Sequence, residues 1–247
     1  MQKFFVETNQ IENKKITIIG EDVKHISNVL RMKIDEEVQI GNKETLENYI
    51  AKISEINKEN VILEVIEKLN STVESNVNID LFQGLPKADK MEWIIQKTTE
   101  IGVNKIIPVD MQRCVVKLDE KDAKKKIDRW QKVAEGAAKQ SKRDKIPKID
   151  NKVKLKEVAN KIKEYDIFLI AYEEEQENKL KEQIKNIGKK EKYNIGVLVG
   201  PEGGLDIKEV EELKEKGAKV VTLGKRILRT ETAPIVIVSN ILYELEI

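Results

Sequence analysis

The chain is nearly bare of the residues that many catalytic chemistries recruit. Its 247 residues include one cysteine, Cys114, and one histidine, His25. A lone cysteine forms no internal disulfide. Zinc-type Cys/His spacing is absent, so a metal site would have to be built from carboxylates, and none is expected. A Ser-His-Asp triad would have to use His25, close to the N-terminus, which disfavours that chemistry. No apolar run approaches the roughly 18 residues needed to cross a bilayer. The start, Met1-Gln2-Lys3-Phe4-Phe5-Val6-Glu7, reaches an acid too soon for a secretory signal. A soluble, cytoplasmic protein without a membrane partner is therefore expected. Neither G-x-x-x-x-G-K-[ST] nor G-x-G-x-x-G occurs, which disfavours nucleotide hydrolysis and ordinary NAD binding.

Net charge is also missing. The formal value is +1 at pH 7, so no global basicity announces a nucleic acid. The distribution is uneven, however. Residues 1–70 carry 10 Lys and Arg against 13 Asp and Glu, whereas residues 117–148 carry 12 against 6. That local excess fits a solvated, lysine-rich helix face as well as a phosphate-binding one. Apolar residues make up 40% of the chain and charged residues 36%, enough for a real core under a charged surface.

Two patterns divide the chain. Up to residue 70, short β-branched runs at 38–41, 46–56 and 60–68 predict strands, and Val23, Ile26, Val29 and Leu30 form one helical stripe over 22–31. This reads as a small β-barrel. The polar stretch 70–78 lacks periodicity and is the expected linker. From Ile79 onwards strands and helices alternate, which argues for a parallel sheet. Strands are expected at 79–85, 105–109, 166–171, 195–200 and 219–223. Helices are expected at 87–101, 119–141 (with Gly136 a candidate break), 177–187, 206–216 and 232–245. Asp206 and Glu209 resemble a capping box and Gly217 closes that helix. Pro234 fixes the start of the last helix, because proline is tolerated only in the first turn. That helix is apolar around most of its circumference, so burial is expected, in the core or in a subunit interface. Trp93 and Trp130 read as core residues.

Three loops carry candidate chemistry. Val199-Gly200-Pro201-Glu202-Gly203-Gly204 follows a buried strand and precedes a capped helix. Its glycines permit close backbone approach and positive φ, and exposed amides there suit an anionic group. Leu223-Gly224-Lys225-Arg226-Ile227-Leu228-Arg229-Thr230-Glu231-Thr232-Ala233 again links a strand to a helix. Thr230 or Thr232 could cap the helix, but capping does not explain Arg226 and Arg229. The third loop is Ala171-Tyr172-Glu173. Open α/β sheets bind ligands beyond the carboxyl ends of their strands, so three such loops from adjacent strands would form one pocket.

These two long motifs, at this spacing near the C-terminus, resemble the SPOUT-class methyltransferases, and more narrowly the ribosomal RNA small-subunit methyltransferase E family. The likeness extends to His25 with Val29-Leu30-Arg31, to Lys87, Lys90, Glu92, Trp93, Lys97 and Glu100, to Arg113, and to Arg129-Trp130, Glu135, Gln140-Ser141, Arg143 and Ile146-Pro147. Leu205, where phenylalanine is expected, and Pro234, where a small residue is common, are local departures.

The resemblance implies a PUA-like RNA-binding barrel at 1–70 and a SPOUT α/β domain at 71–247 whose C-terminal segment is threaded through a trefoil knot. It implies a homodimer, and methyl transfer from S-adenosylmethionine to N3 of one uridine in 16S rRNA of the 30S subunit. Arg229, Glu231 and Glu202 are then the catalytic candidates: a carboxylate as base, or as a structural tie, and the arginine to stabilise a uracil anion. Ala171, Tyr172, Val199, Gly200, Glu202, Gly203, Leu223, Gly224, Ile227, Leu228, Arg229 and Thr230 would hold the donor. His25, Arg31, Arg113, Arg129, Lys139, Lys142 and Arg143 would contact RNA. The rival readings are a SPOUT enzyme acting on another RNA position and a non-catalytic ribosome-assembly factor.

Overall fold

The computed structural model describes residues 1–70 and 73–246. The chain forms two units, one of residues 1–74 with 138–146, the other of residues 75–137 with 147–247. The division differs from the one expected at 70/71. Part of the expected linker, Ser71 and Thr72, lies outside the described residues. Glu74 belongs to the first unit, and a strand is under way by Val77. Residues 138–146, expected in the second domain, pack with the first.

In the first unit, β1 (Gln2–Val6), β2 (Ile11–Glu12), β3 (Lys15–Ile19), β4 (Glu37–Asn42), β5 (Asn48–Ile56) and β6 (Asn60–Leu69) make a six-stranded sheet in the order β1-β4-β5-β6-β3-β2. Only β1 and β4 pair in parallel. The alternation puts Ile16, Ile18, Val38, Ile40, Val61 and Leu63 in one core with Phe4 and Val6. The predicted helix is a single turn, α1 (Glu21–Lys24), that loosens into a wide turn over His25–Leu30 and ends at Arg31, φ +52°. Val23 and Ile26 face the core, while His25 and Arg31 face solvent, His25 with its ring edge-on to Phe4.

Buried charge fastens residues 138–146 to this unit. Lys3 is 3% exposed, and its ammonium meets Asp144 Oδ1 at 2.9 Å, Asn48 Oδ1 at 2.8 Å and the Lys142 carbonyl at 3.3 Å. Burial lowers the pKa of this lysine, and the bond to Asp144 opposes that shift. Next to it, Arg143 is 5% exposed and paired with Glu74, which also accepts the amide of Asp144 at 3.0 Å. Arg143 is therefore not available to a phosphate, contrary to its assignment as an RNA contact. Freeing it would cost Glu74 a charge-assisted pair. Lys139 is likewise half-buried and paired with Asp22 at 2.9 Å.

The second unit carries β7 (Val77–Gly84), α2 (Lys90–Ile101), β8 (Lys105–Asp110), α3 (Glu120–Gln140, its last three residues in the first unit), β9 (Lys148–Ile149), β10 (Val153–Lys154), α4 (Leu155–Lys161), β11 (Ile167–Ala171), α5 (Leu180–Lys185), β12 (Tyr193–Val199), α6 (Ile207–Glu215), β13 (Lys219–Val221) and α7 (Ala233–Leu245). The sheet is parallel throughout, in the order β10-β8-β7-β12-β11-β13, with β9 beside β8. Its central strands are buried almost end to end, as continuous Val/Ile/Leu runs demand. Gly136 does not interrupt α3. Helix α6 starts on the predicted cap: Asp206 Oδ1 accepts the Lys208 amide at 3.0 Å and Glu209 Oε2 the Asp206 amide at 3.2 Å. Trp130 is buried, but Trp93 is 51% exposed, with Lys97 5.2 Å above its ring, so its expected place in the core is corrected. Helix α7 buries Ile237, Val238, Ile241 and Leu242, yet Ser239 and Asn240 are exposed and Tyr243 is 67% exposed.

Two outcomes follow from the buried ion pairs. Asp144→Ala leaves the Lys3 ammonium without its anion and should cost about 3–5 kcal/mol in urea unfolding. Burial opposes ionisation of Glu74, but Arg143 and the Asp144 amide hold its pKa below the ordinary 4.5. Its contribution is thus complete above about pH 4.5 and lost as pH falls through the lowered folded value. Glu74→Gln should lower stability at neutral pH and flatten the decline below pH 4.5, read by unfolding across a pH series.

Candidate active site

Strands β12, β11 and β13 are neighbours, and their carboxyl-end loops enclose a cavity of about 410 Å3 in the second unit. All the residues expected to hold the donor line it except Gly203: Ala171 and Tyr172 after β11, Val199, Gly200 and Glu202 after β12, and Leu223, Gly224, Ile227, Leu228, Arg229 and Thr230 after β13. Gly203 answers to a different neighbour. A Cβ there would lie 3.0 Å from both Cβ and O of Arg113, so close packing of that backbone, rather than a ligand, requires the glycine. Lys90, Glu173, Thr222, Lys225, Arg226 and Ala233 also line the cavity and were not among the expected donor residues. Of these, Glu173, Lys225, Arg226 and Ala233 stood inside flagged loops, whereas Lys90 lies 112 positions before Glu202 and no local pattern links them.

A buried polar tie sets the position of the loops. Gln83, fully buried at the end of β7, donates from Nε2 to the Gly84 carbonyl (3.0 Å), Thr230 Oγ1 (3.1 Å) and the Gly200 carbonyl (3.4 Å). The Thr230 hydroxyl donates to the Gly200 carbonyl at 2.7 Å. Thr230 thus spends its side chain on the frame and is 7% exposed, although it borders the cavity. Gly84 completes the frame: a Cβ on it would sit 2.7 Å from both N and Cδ of Pro201.

Charges of both signs meet at the rim. Lys90, the first residue of α2, places its ammonium 3.1 Å from Glu202 Oε1 and 3.1 Å from Glu231 Oε2. Those two carboxylates hold the lysine above its ordinary pKa, Glu202 first. Glu202 also accepts the Lys87 amide on both oxygens, at 3.0 and 3.3 Å. Partial burial works against its ionisation, but these amide bonds and Lys90 hold its pKa below the ordinary value. Arg229 is exposed and carries no ion pair among the described residues. Burial, with the Glu174 carboxylate nearby, pushes the Tyr172 hydroxyl up to about 12, so it stays protonated at neutral pH.

The cations expected to bind RNA in this unit are already engaged. Arg113 pairs with Asp206 at 3.3 Å and donates to the Gly203 carbonyl; Arg129 pairs with Glu92 at 2.8 Å. Both side chains are well exposed, 43% and 64%. No cluster of three or more His, Cys, Asp or Glu suited to a metal occurs among the described residues, and no helix there is long and apolar enough to cross a membrane.

The wholly parallel sheet with its ligand-sized cavity and the small β unit before it each match an RNA methyltransferase family. The family of RNA methyltransferase domains matches residues 73–242, and that of RNA methyltransferase PUA domains matches residues 18–66. The ribosomal RNA small subunit methyltransferase E of Bacillus subtilis (strain 168) is 38% identical, the match covering 100% of this chain and 98% of its own length. That of Buchnera aphidicola subsp. Acyrthosiphon pisum is 30% identical over 96% and 91%. The crystal structure of the Neisseria gonorrhoeae ribosomal RNA small subunit methyltransferase E, bound to S-adenosyl methionine, superposes with a TM-score of 0.87 at 29% identity, covering 99% of this chain and 98% of that one. The chain belongs to the ribosomal RNA small subunit methyltransferase E family.

The frame makes a direct prediction. Gly84→Ala drives a methyl into the rigid Pro201 ring and should cost about 1–3 kcal/mol in denaturant unfolding. Gly136→Ala, in the α3 helix with nothing within 4 Å of the new methyl, should instead gain about 0.5–1 kcal/mol.

Proposed function

We propose that the strand-tip cavity holds S-adenosylmethionine and that the chain transfers its methyl group to N3 of a uridine in 16S rRNA. The observation that carries this reading is the convergence of three adjacent loops on one cavity lined by Arg229, Glu202 and Lys90. The cavity volume lies within the roughly 300–1,000 Å3 of small-molecule sites. Its walls suit such a donor. Val199, Leu223, Ile227 and Leu228 offer apolar surface to an adenine, and the polar rim offers charges of both signs to a sulfonium amino acid.

The donor supplies an electrophilic methyl on a cationic sulfur. The protein must align it with the acceptor, which can be worth roughly 7–11 kcal/mol, and must free the N3 lone pair by removing a proton. Glu202, in the cavity wall, and Glu231, joined to it through Lys90, are the candidate carboxylates for that. Arg229, unpaired at the rim, is the cation in place to stabilise a uracil anion, an interaction that strengthens as charge develops.

RNA is held through its phosphates. Lys142, His25 and Arg31 are exposed in the first unit; Arg113 and Arg129 serve in the second. The ion pairs of those two arginines are surface pairs, of the kind worth roughly 0–1 kcal/mol, so a phosphate can displace the acid. The reading includes a homodimer, supported by the exposed apolar side chains Trp93, Ile227 and Tyr243. It includes the trefoil knot that the family resemblance implies. The cytoplasm, where 30S subunits mature, is its place of work.

A non-catalytic assembly factor would have no use for a free arginine at a donor-sized cavity. Arg229→Ala should lower kcat by roughly 100-fold or more while the calorimetric Kd for S-adenosylmethionine changes little. Mass spectrometry of 16S rRNA treated with the wild-type protein should locate one N3-methyluridine. A ribose 2′-O-methyl product instead would refute the assignment of N3.

A further inference from the structure

We infer that Glu173 binds the α-ammonium group of the methyl donor, so that the cavity selects its ligand by the amino-acid end as well as by the adenosine. This rests on the reading proposed above.

Glu173 opens a run of three acids, Glu173-Glu174-Glu175, in the loop after β11. The three are employed differently. Glu174 accepts the Tyr172 hydroxyl. Glu175 ties the loop to itself: it accepts the amides of Glu177 at 2.8 Å and Asn178 at 3.1 Å, and the side-chain amide of Asn178 at 2.8 Å. Glu173 alone of the three lines the cavity, and its carboxylate has no hydrogen bond or ion pair among the described residues.

The neighbouring loop leaves room for that carboxylate. Gly204, φ +69°, turns the chain after β12, and a Cβ there would collide with Glu173 Oε1. The carboxylate therefore lies against the Gly204 backbone, between loops that leave two adjacent strands.

The charges of the wall make the assignment. Its acids are Glu173 and Glu202, and its cations are Lys90, Lys225, Arg226 and Arg229. Glu202 is taken by Lys90 and by the Lys87 amide. Lys225, Arg226 and Arg229 carry no ion pair among the described residues. Free cations attract the carboxylate of an amino acid and repel its ammonium. Glu173 is the wall acid left to meet that ammonium, through a charge-assisted hydrogen bond. A ribose hydroxyl would also bond to a carboxylate, but it is uncharged and indifferent to the cations around it. A zwitterion needs both signs, and the wall offers both in unengaged form.

The test is calorimetry on the full-length protein with three ligands: S-adenosylmethionine, S-adenosylhomocysteine and 5′-methylthioadenosine, which keeps adenine and ribose but has no amino-acid end. Glu173→Gln should raise the Kd of the first two by similar factors, roughly 10-fold or more, and leave that of methylthioadenosine within about 3-fold. An unaltered third ligand shows at the same time that the cavity is intact. Glu173→Asp keeps the charge on a shorter arm and should lose less affinity for the same two ligands; it carries the test if the glutamine variant is poorly folded. With 30S subunits and saturating donor, kcat of either variant should stay within about 3-fold of wild type, as for a group that holds ground state and transition state alike. Unchanged Kd values, a loss confined to S-adenosylmethionine (a contact to the sulfonium), an equal loss for methylthioadenosine (a contact to the ribose), or a fall in kcat with Kd intact would each overturn the assignment. No binding heat from the wild-type protein with S-adenosylmethionine would overturn the methyltransferase reading beneath it, which distinguishes the two failures.

Discussion

The site depends on one buried hydrogen-bonded knot of side chain and backbone: Gln83, Thr230 and the Gly200 carbonyl. In the low-dielectric interior of a parallel sheet such bonds are strong, and losing a partner would leave buried groups unsatisfied at a cost of roughly 1–3 kcal/mol each. The bonds join the end of β7, the end of β12 and the segment that enters α7. With those three fixed, the loops after β12 and β13 can differ in sequence and still face each other across the same gap. The packing of Gly84 against Pro201 adds a steric limit to the polar one.

Charge is used economically in both units. In the first, Lys3, Asp144, Arg143 and Glu74 are withdrawn from solvent and hold residues 138–146 to the sheet. In the second, Lys90 neutralises part of an acidic rim while Arg229 is left free. A net charge of +1 conceals this arrangement, because the numbers of acids and bases are nearly equal and these pairs join residues far apart in sequence.

Much of the fold and the cavity was legible because it is written locally. Continuous β-branched runs mark the buried strands of a parallel sheet, glycines mark the turns, and Asp206 with Glu209 marks the start of α6. Three charged loops, two of them carrying glycine, each following such a strand, pointed to a single pocket. The order of the strands was not legible, since nothing in β12 says that it lies between β7 and β11. Nor were the partners of the charges. Lys142 and Arg143 are neighbours in one basic stretch, yet the lysine is exposed with φ +58° and the arginine is buried against Glu74, 69 positions away. Gly203 was expected beside the donor, and its close neighbour in the fold is Arg113. Trp93 follows the helical stripe imperfectly, and only the packed structure reveals that it stays outside the core.

The tie from Gln83 to Thr230 has a bearing on how the protein comes to life on the ribosome. The chain is made from its N-terminus, so β7 emerges long before the threonine that must meet it has been translated. A nascent chain halted before Thr222 would own the sheet and none of the cavity wall that residues 222–230 supply. Competence for catalysis then arrives late, once the segment that carries Thr230 has been made. Truncated products left by interrupted synthesis would be inert rather than partly active, and the cell would be spared an enzyme that captures its methyl donor without being able to place it.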